Sequence, residues 1–217
     1  ERDLDVIRAG IEEGRRTFAN TLKYIQTTTS ANLGNMLSMA AASLFLPFLP
    51  LLPGQILLNN FLSDIPAIGI AGDSVDPELV GAPRRWDVRF IGRFMVEFGM
   101  LSSVFDVLTF IVLLAIFRLG PDAFRTGWFM ESLLTELVIA LVVRTRRPFF
   151  MSRPGTLLLV STVALIGLAF AIPYLPGTEL LGFVPLPGAV LAALSVVTLV
   201  YVGATELTKR GFYRGAA

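Results

Sequence analysis

The sequence contains no cysteine and no histidine. Disulfides, thiolate chemistry, zinc or copper sites built on sulfur or imidazole, and histidine-based catalysis are thereby excluded. Charge is scarce as well. Asp, Glu, Lys and Arg make up 16% of the chain, against roughly 25% in soluble domains. The scarcity is regional: no charged side chain occurs from Tyr24 to Ser63, from Pro154 to Thr178 or from Leu180 to Thr205. A bilayer span takes about 20 apolar residues, so the first run holds one span and the start of a second, and the others hold one each. The mean hydropathy of +0.69 agrees. The chain therefore reads as an all-α, polytopic integral membrane bundle in contact with a lipid bilayer. Its polar start, "ERDLDVIRAGIEEGRR", lacks the apolar core of a signal peptide and reads as part of a longer chain.

What charge there is has an order. Six spans are expected, near 29–48, 54–71, 92–117, 127–144, 155–174 and 187–206, preceded by a stalk (1–28) and followed by a tail (207–217). Basic residues then fall in alternate connections. Arg2, Arg8, Arg15, Arg16 and Lys23 precede the first span, and Arg84, Arg85, Arg89 and Arg93 lie between the second and third. Arg144, Arg146, Arg147 and Arg153 follow the fourth, and Lys209, Arg210 and Arg214 close the chain. On the opposite side only Arg118 and Arg125 occur. The positive-inside rule then puts both termini in the cytoplasm, and the Arg clusters read first as topology signals and lipid anchors.

Residues 5–29 read as a helix that begins in water and runs into the first span. Ile11, Phe18, Leu22 and Ile25 form its apolar side, with Glu12, Glu13, Arg15 and Arg16 opposite. "PFLPLLPG" (47–54) must interrupt the helix, "GDSVDPELVGAPRRWDVRFI" (72–91) reads as a polar loop, and "IPYLPGTELLGFVPLPG" (172–188) divides the last two spans. Trp86, Trp128, Tyr174 and Tyr201 are expected at membrane interfaces.

The informative residues are the polar ones inside the spans. Asn32 and Asn35 are three apart on one helix face, and Asn60 and Asp64 are four apart, with Ser63 alongside. The third span carries Glu97 and Asp106, and the fourth carries Glu131 and Glu136. Glu97 and Glu131 are expected to lean to water, whereas Asp64, Asp106 and Glu136 are expected to be shut from it. Asp106 has Ser102, Ser103 and Thr109 as local donors, and Glu136 has Thr135. An acid at the bilayer centre costs roughly 2.5–3.5 kcal/mol on insertion scales, and no Lys or Arg lies between Lys23 and Arg84 or between Arg93 and Arg118. These acids must hold protons, meet donors or face a cation. Amide, hydroxyl and carboxylate oxygens are hard ligands suited to magnesium or calcium. Pro66 is expected to break the second span and free a carbonyl near Leu62, and broken helices mark ion sites in transporters.

These residues resemble the C-terminal half of a P-type cation-transporting ATPase, and most closely its magnesium-importing branch. "EGRRTFANTLKYI" is similar to that family's exit from the phosphorylation domain into the fifth membrane helix. "SANLGN" and "NNFLSDIPA" are similar to the ion-site segments of helices five and six, and "GRFMVEFGMLSSVFDVLTF" and "TGWFMESLLTELVIALVVRT" to helices seven and eight. The resemblance implies that Asn32, Asn35, Asn60, Ser63 and Asp64 hold the transported Mg2+, with Asp106, Glu136 and Glu97 as a second tier of the ion pathway. Calcium pumps carry a Glu where Asn35 stands, which disfavours a two-site calcium pump. The Asp-Lys-Thr-Gly-Thr phosphorylation motif is absent. ATP would therefore act only through the N-terminal remainder of such a pump: four membrane helices and the actuator, phosphorylation and nucleotide domains. The chain alone should be inactive. A multi-pass inner-membrane location follows, and no nucleic-acid partner is expected. The alternatives are the membrane part of a calcium or proton pump, or a stand-alone membrane module or pore.

Overall fold

The computed structural model describes residues 4–83 and 85–214; Arg2, Arg84 and the last three residues of the tail lie outside them. All regular structure among the described residues is helical. A single helix, α1, runs from Leu4–Phe45. It is followed by α2 (Pro53–Gly69), the short α3 (Pro77–Val80), α4 (Val88–Ile111), α5 (Pro121–Val143), α6 (Thr156–Ala171) and α7 (Gly188–Arg214). Four stretches are long and apolar enough to cross a membrane: Val88–Ile116, Pro121–Val143, Thr156–Tyr174 and Gly188–Arg214.

Helix boundaries follow local chemistry. Pro53 and Pro121 occupy first-turn positions of α2 and α5, where the missing N–H is no loss. Asp87 caps α4 by accepting from the Phe90 amide at 3.0 Å. After Ile111, α4 continues as a wider π turn, Val112–Ile116. Pro66 does not break α2 as expected. The helix passes through it to Gly69, because proline's fixed φ suits a helix and only its own amide bond is lost.

The central element is α5. Buried residues appear all round it, from Phe124 to Val143, and it packs on α1, α2, α4, α6 and α7. One apolar cluster gathers Phe124, Trp128, Phe129, Leu133, Leu137 and Leu165. A second joins Phe94, Phe98, Ile139, Tyr201 and Phe212. Trp128 and Tyr201, expected at interfaces, are each 1% exposed. Trp86 and Tyr174 do stand half exposed.

Helix α1 buries an unexpected face. Its inward stripe is Ala19, Lys23, Gln26, Ser30, Gly34, Ser38 and Ala42, whereas Ile11 is exposed and Phe18, Leu22 and Ile25 are half-buried. Within the expected span, from Ser30 to Ala42, apolar surface in lipid has nothing to gain by turning inward, and small or polar residues make the helix contacts; in the stalk, Lys23 turns inward to pair with Asp73. Against α4 the approach is close. A Cβ on Gly34 would lie 2.8 Å from Ser102 Cβ and 3.1 Å from the Gly99 carbonyl, and one on Gly99 would lie 3.1 Å from the Ser30 carbonyl. The Ser103 hydroxyl closes the contact on the Gly34 carbonyl at 3.1 Å.

At one end of the bundle a buried polar knot joins five segments. Asp73 accepts from Lys23 Nζ at 2.6 Å, from Arg144 Nη1 at 3.3 Å and from the Gly155 amide at 2.8 Å. Asp76 accepts from Thr145 at 2.5 Å and Ser152 at 2.8 Å. Asn20 donates to the Ala71 and Asp73 carbonyls. Lys209 donates to the Val142 and Arg147 carbonyls at 2.9 and 2.8 Å and pairs with Glu206. Burial holds the Lys23 ammonium below its ordinary range, against the opposing pull of Asp73. Lys23, Arg144 and Lys209 are thus internal ties, and the reading of basic residues as lipid anchors does not extend to them.

Two outcomes follow, both read as thermal stability of the detergent-purified full-length protein. Gly34→Val should force α1 and α4 apart at a cost of about 1–3 kcal/mol and lower the unfolding midpoint. Asp73→Ala strands two buried cations and should cost about 3–5 kcal/mol, while Glu78→Ala, which removes only the exposed partner of Arg147, should leave the midpoint unmoved.

Candidate cation site

The face of α1 that carries Asn32 meets α2 and α5 around a hollow of about 230 Å³. Its lining includes Asn32 from α1, Asn60, Ser63 and Asp64 from α2, and Glu136 from α5. The α2 contribution is a matter of register. Asn60, Ser63, Asp64 and Ala67 recur at spacings of three and four, so they share one side of the helix. Gln55, Asn59, Leu62, Pro66 and Gly69 form the buried side. Pro66 also lines the hollow, and its missing amide leaves the Leu62 carbonyl without a helical donor.

Glu136 anchors the arrangement. Asn35 Nδ2 donates to its Oε1 at 2.9 Å and Asn59 Nδ2 to its Oε2 at 3.0 Å. Ser132, one turn earlier on α5, donates to Asn35 Oδ1 at 3.3 Å and accepts from Asn59 at 3.4 Å. Ser63 stands within reach of Glu136 and of its own Asn60 carbonyl at 3.1 Å. Thr135, the donor expected for Glu136, instead turns back to the Glu131 and Ser132 carbonyls. A carboxyl group held by two side-chain amide donors is fixed in orientation, and those donors bring no full positive charge to it.

The expected residues are distributed as follows. Asn32, Asn60, Ser63 and Asp64 line the hollow directly. Asn35 reaches it through Glu136. Asp64, expected to be shut from water, is exposed, because it lies on the open side of α2. It lines a second, wider groove of about 550 Å³ with Thr17, Asn20, Thr21 and Tyr24 of α1. Glu97 is exposed on α4, away from the hollow. Asp106 is buried and also outside the lining. Its donors are Ser38 on α1 and Trp128 on α5, not the serines and threonine of its own helix. Glu131, expected to lean to water, is 1% exposed.

Asn59, a polar residue at the middle of the second span, was not among the site residues expected from the sequence, and neither was Ser132. The signal for Asn59 was its phase. It shares a stripe with Leu62, Pro66 and Gly69, which marks it as inward-facing, while its neighbour Asn60 faces the hollow. Ser132 carried no comparable mark.

Among the described residues no ion pair includes Asp64 or Glu136, and no group of three or more acidic side chains gathers as a metal cluster. The oxygen set is two carboxylates, from Asp64 and Glu136, with the amides of Asn32 and Asn60 and the hydroxyls of Thr27, Thr28 and Ser63. Such a set suits a hard cation that keeps part of its water.

Comparison with known proteins bears on the same residues. A family model described as "Cation transporting ATPase, C-terminus" matches residues 48–211. The chain is 41% identical to "Magnesium-transporting ATPase, P-type 1" of Escherichia coli (strain K12), over 98% of its own length. It is equally similar to the protein of that name in Salmonella typhimurium (strain 14028s / SGSC 2262). Identity to "Calcium-transporting ATPase" of Bacillus subtilis (strain 168) is 28% over 68% of the chain. The chain spans 24% of the length of the two magnesium-transporting relatives. A helical membrane bundle with an oxygen-lined hollow, matched along most of its length, belongs to the cation-transporting ATPase family, in that family's C-terminal region.

Proposed function

We propose that this chain is the ion-pathway half of an ATP-driven, magnesium-transporting P-type pump, and that the hollow around Asp64 is its half of the cation site. The observation that carries the reading is the convergence of Asn32, Asn60, Ser63, Asp64 and Glu136 on one hollow, with neither acid in an ion pair. A divalent cation passing through supplies the missing positive charge. Asn35 belongs to the same set by holding Glu136. Magnesium gives up water reluctantly, and neutral amides orient retained water without the full dehydration that a cage of carboxylates would demand. The 41% identity to proteins named for magnesium transport supports the same ion, and an amide at position 35 argues against a two-site calcium pump.

In this reading α1 and α2 are membrane spans in addition to the four long apolar stretches, making six. Residues up to 28 form a cytoplasmic stalk, and both termini face the cytoplasm of a cell whose inner membrane houses the pump. The groove beside Asp64 is open because the fourth membrane helix, from the N-terminal remainder of the pump, completes the cage there. ATP acts through the phosphorylation, nucleotide and actuator domains of that remainder. It moves the stalk and so switches the access of the hollow between the two sides.

In the full-length protein, Asp64→Asn should abolish magnesium-dependent uptake while expression and membrane insertion stay at wild-type level; uptake at the wild-type rate would end the cage reading. Asn59→Leu leaves one Glu136 oxygen without its donor. It should cost about 1–3 kcal/mol of local stability and weaken magnesium-stimulated ATP hydrolysis, measured as a raised half-saturating magnesium concentration.

A further inference from the structure

A second acidic cluster lies deeper in the bundle. Ser38, six residues beyond Asn32 on α1, donates to Asp106 Oδ2 at 2.6 Å, and Trp128 Nε1 donates to Asp106 Oδ1 at 2.7 Å. Glu131 hydrogen-bonds to Asp106. Asp106 and Glu131 are 2% and 1% exposed. Among the described residues neither forms an ion pair, and no Lys or Arg acts on them. The titratable groups that act on this cluster are Glu136 from α5 and Tyr201 from α7, whose hydroxyl engages Ser102 and Thr205.

The donors decide the protonation pattern. An indole N–H only donates, so Asp106 Oδ1 must accept, and Ser38 occupies the other oxygen at the short distance typical of a hydroxyl on a carboxylate. Asp106 is therefore the anion of the pair. Two carboxylates sharing a dry site cannot both stay ionised, so the neutral member is Glu131. An independent feature points to the same small occupant. Glu131 Oε2 and the Thr109 hydroxyl, which stands beside Glu131, are both buried without a partner of full hydrogen-bond geometry. Thr109 is wholly buried one turn from Asp106. The hollow that carries Asn32, Asn60, Ser63, Asp64 and Glu136 is lined by neither Asp106 nor Glu131.

We propose that Asp106 and Glu131 form a proton-binding site separate from the cation hollow, in which one proton is bonded to Glu131 and hydrogen-bonded to the Asp106 carboxylate. Binding forms one O–H bond on a Glu131 oxygen and breaks one O–H bond of hydronium, which leaves as a water molecule. The site is one turn beyond the hollow on two helices at once. Ser38 follows Asn35 by three residues on α1, and Glu131 adjoins Ser132, which bonds Asn35. The polar face of α1 thus serves the hollow with its first two members and the proton site with its third.

Infrared spectroscopy of the full-length protein in lipid at neutral pH tests this, together with equilibrium binding of Mn2+ as the metal probe. The wild type and Asp64→Asn should show a protonated-carboxyl C=O stretch that Glu131→Gln lacks. Glu131→Gln should fold, because the amide reproduces the shape and donor of the protonated acid, and should bind as many Mn2+ ions as the wild type. The site is overturned if the stretch survives in Glu131→Gln, if that variant binds one fewer Mn2+, or if it fails to fold.

Discussion

The constraint behind this structure is that carboxylates sit among apolar helices with no basic side chain to neutralise them. Asp64, Asp106, Glu131 and Glu136 have no ion pair among the described residues, yet Asp73, at the end of the bundle, has two. The difference is one of task. At the knot, charge is matched by charge and the segments are tied. In the interior, charge is matched only by donors, from Asn35 and Asn59 to Glu136 and from Ser38 and Trp128 to Asp106. Those donors fix orientation and bring no full positive charge.

Central burial of α5 is what makes this arrangement possible. A helix surrounded by protein can direct one acid toward α1 and α2 and another toward α4 without exposing either to lipid. Its neighbours then divide the work. Small residues on α1 and α4 let two backbones approach, Ser38 of the α1 stripe reaches Asp106 on α4, and Asn35 reaches Glu136 and Ser132 on α5. The inward face of α1 would read as an outer surface in a soluble protein. Here it is the inner one, because lipid rewards the reverse arrangement.

Much of this was legible in the sequence. Uncharged runs and proline-rich turns located the long helices, and the spacing of Asn60, Ser63 and Asp64 put three residues that line the hollow on one side of α2. What escaped the sequence required knowing which faces meet. Trp128 and Tyr201 read as interface anchors because aromatic rings with polar tips usually are, and only the tertiary neighbours Asp106 and Ser102 explain their burial. Glu131 looked peripheral because it lies one turn inside the expected span 127–144, but α5 starts at Pro121, so Glu131 lies buried near the middle of that helix. Pro66 read as a break because its missing hydrogen bond is visible in sequence, whereas the bonds that carry the helix past it are not. Lys23, Arg144 and Lys209 show the same limit, since a charge count cannot tell a lipid anchor from an internal tie.

The continuity of α1 has a mechanical corollary. Forty-two residues make a rod of about 63 Å at 1.5 Å per residue, twice the roughly 30 Å of a hydrocarbon core. The rod holds no proline and so offers no built-in joint to absorb a push. A force applied at its polar end arrives undivided at Asn32, Asn35 and Ser38, and those three move together or stay still together.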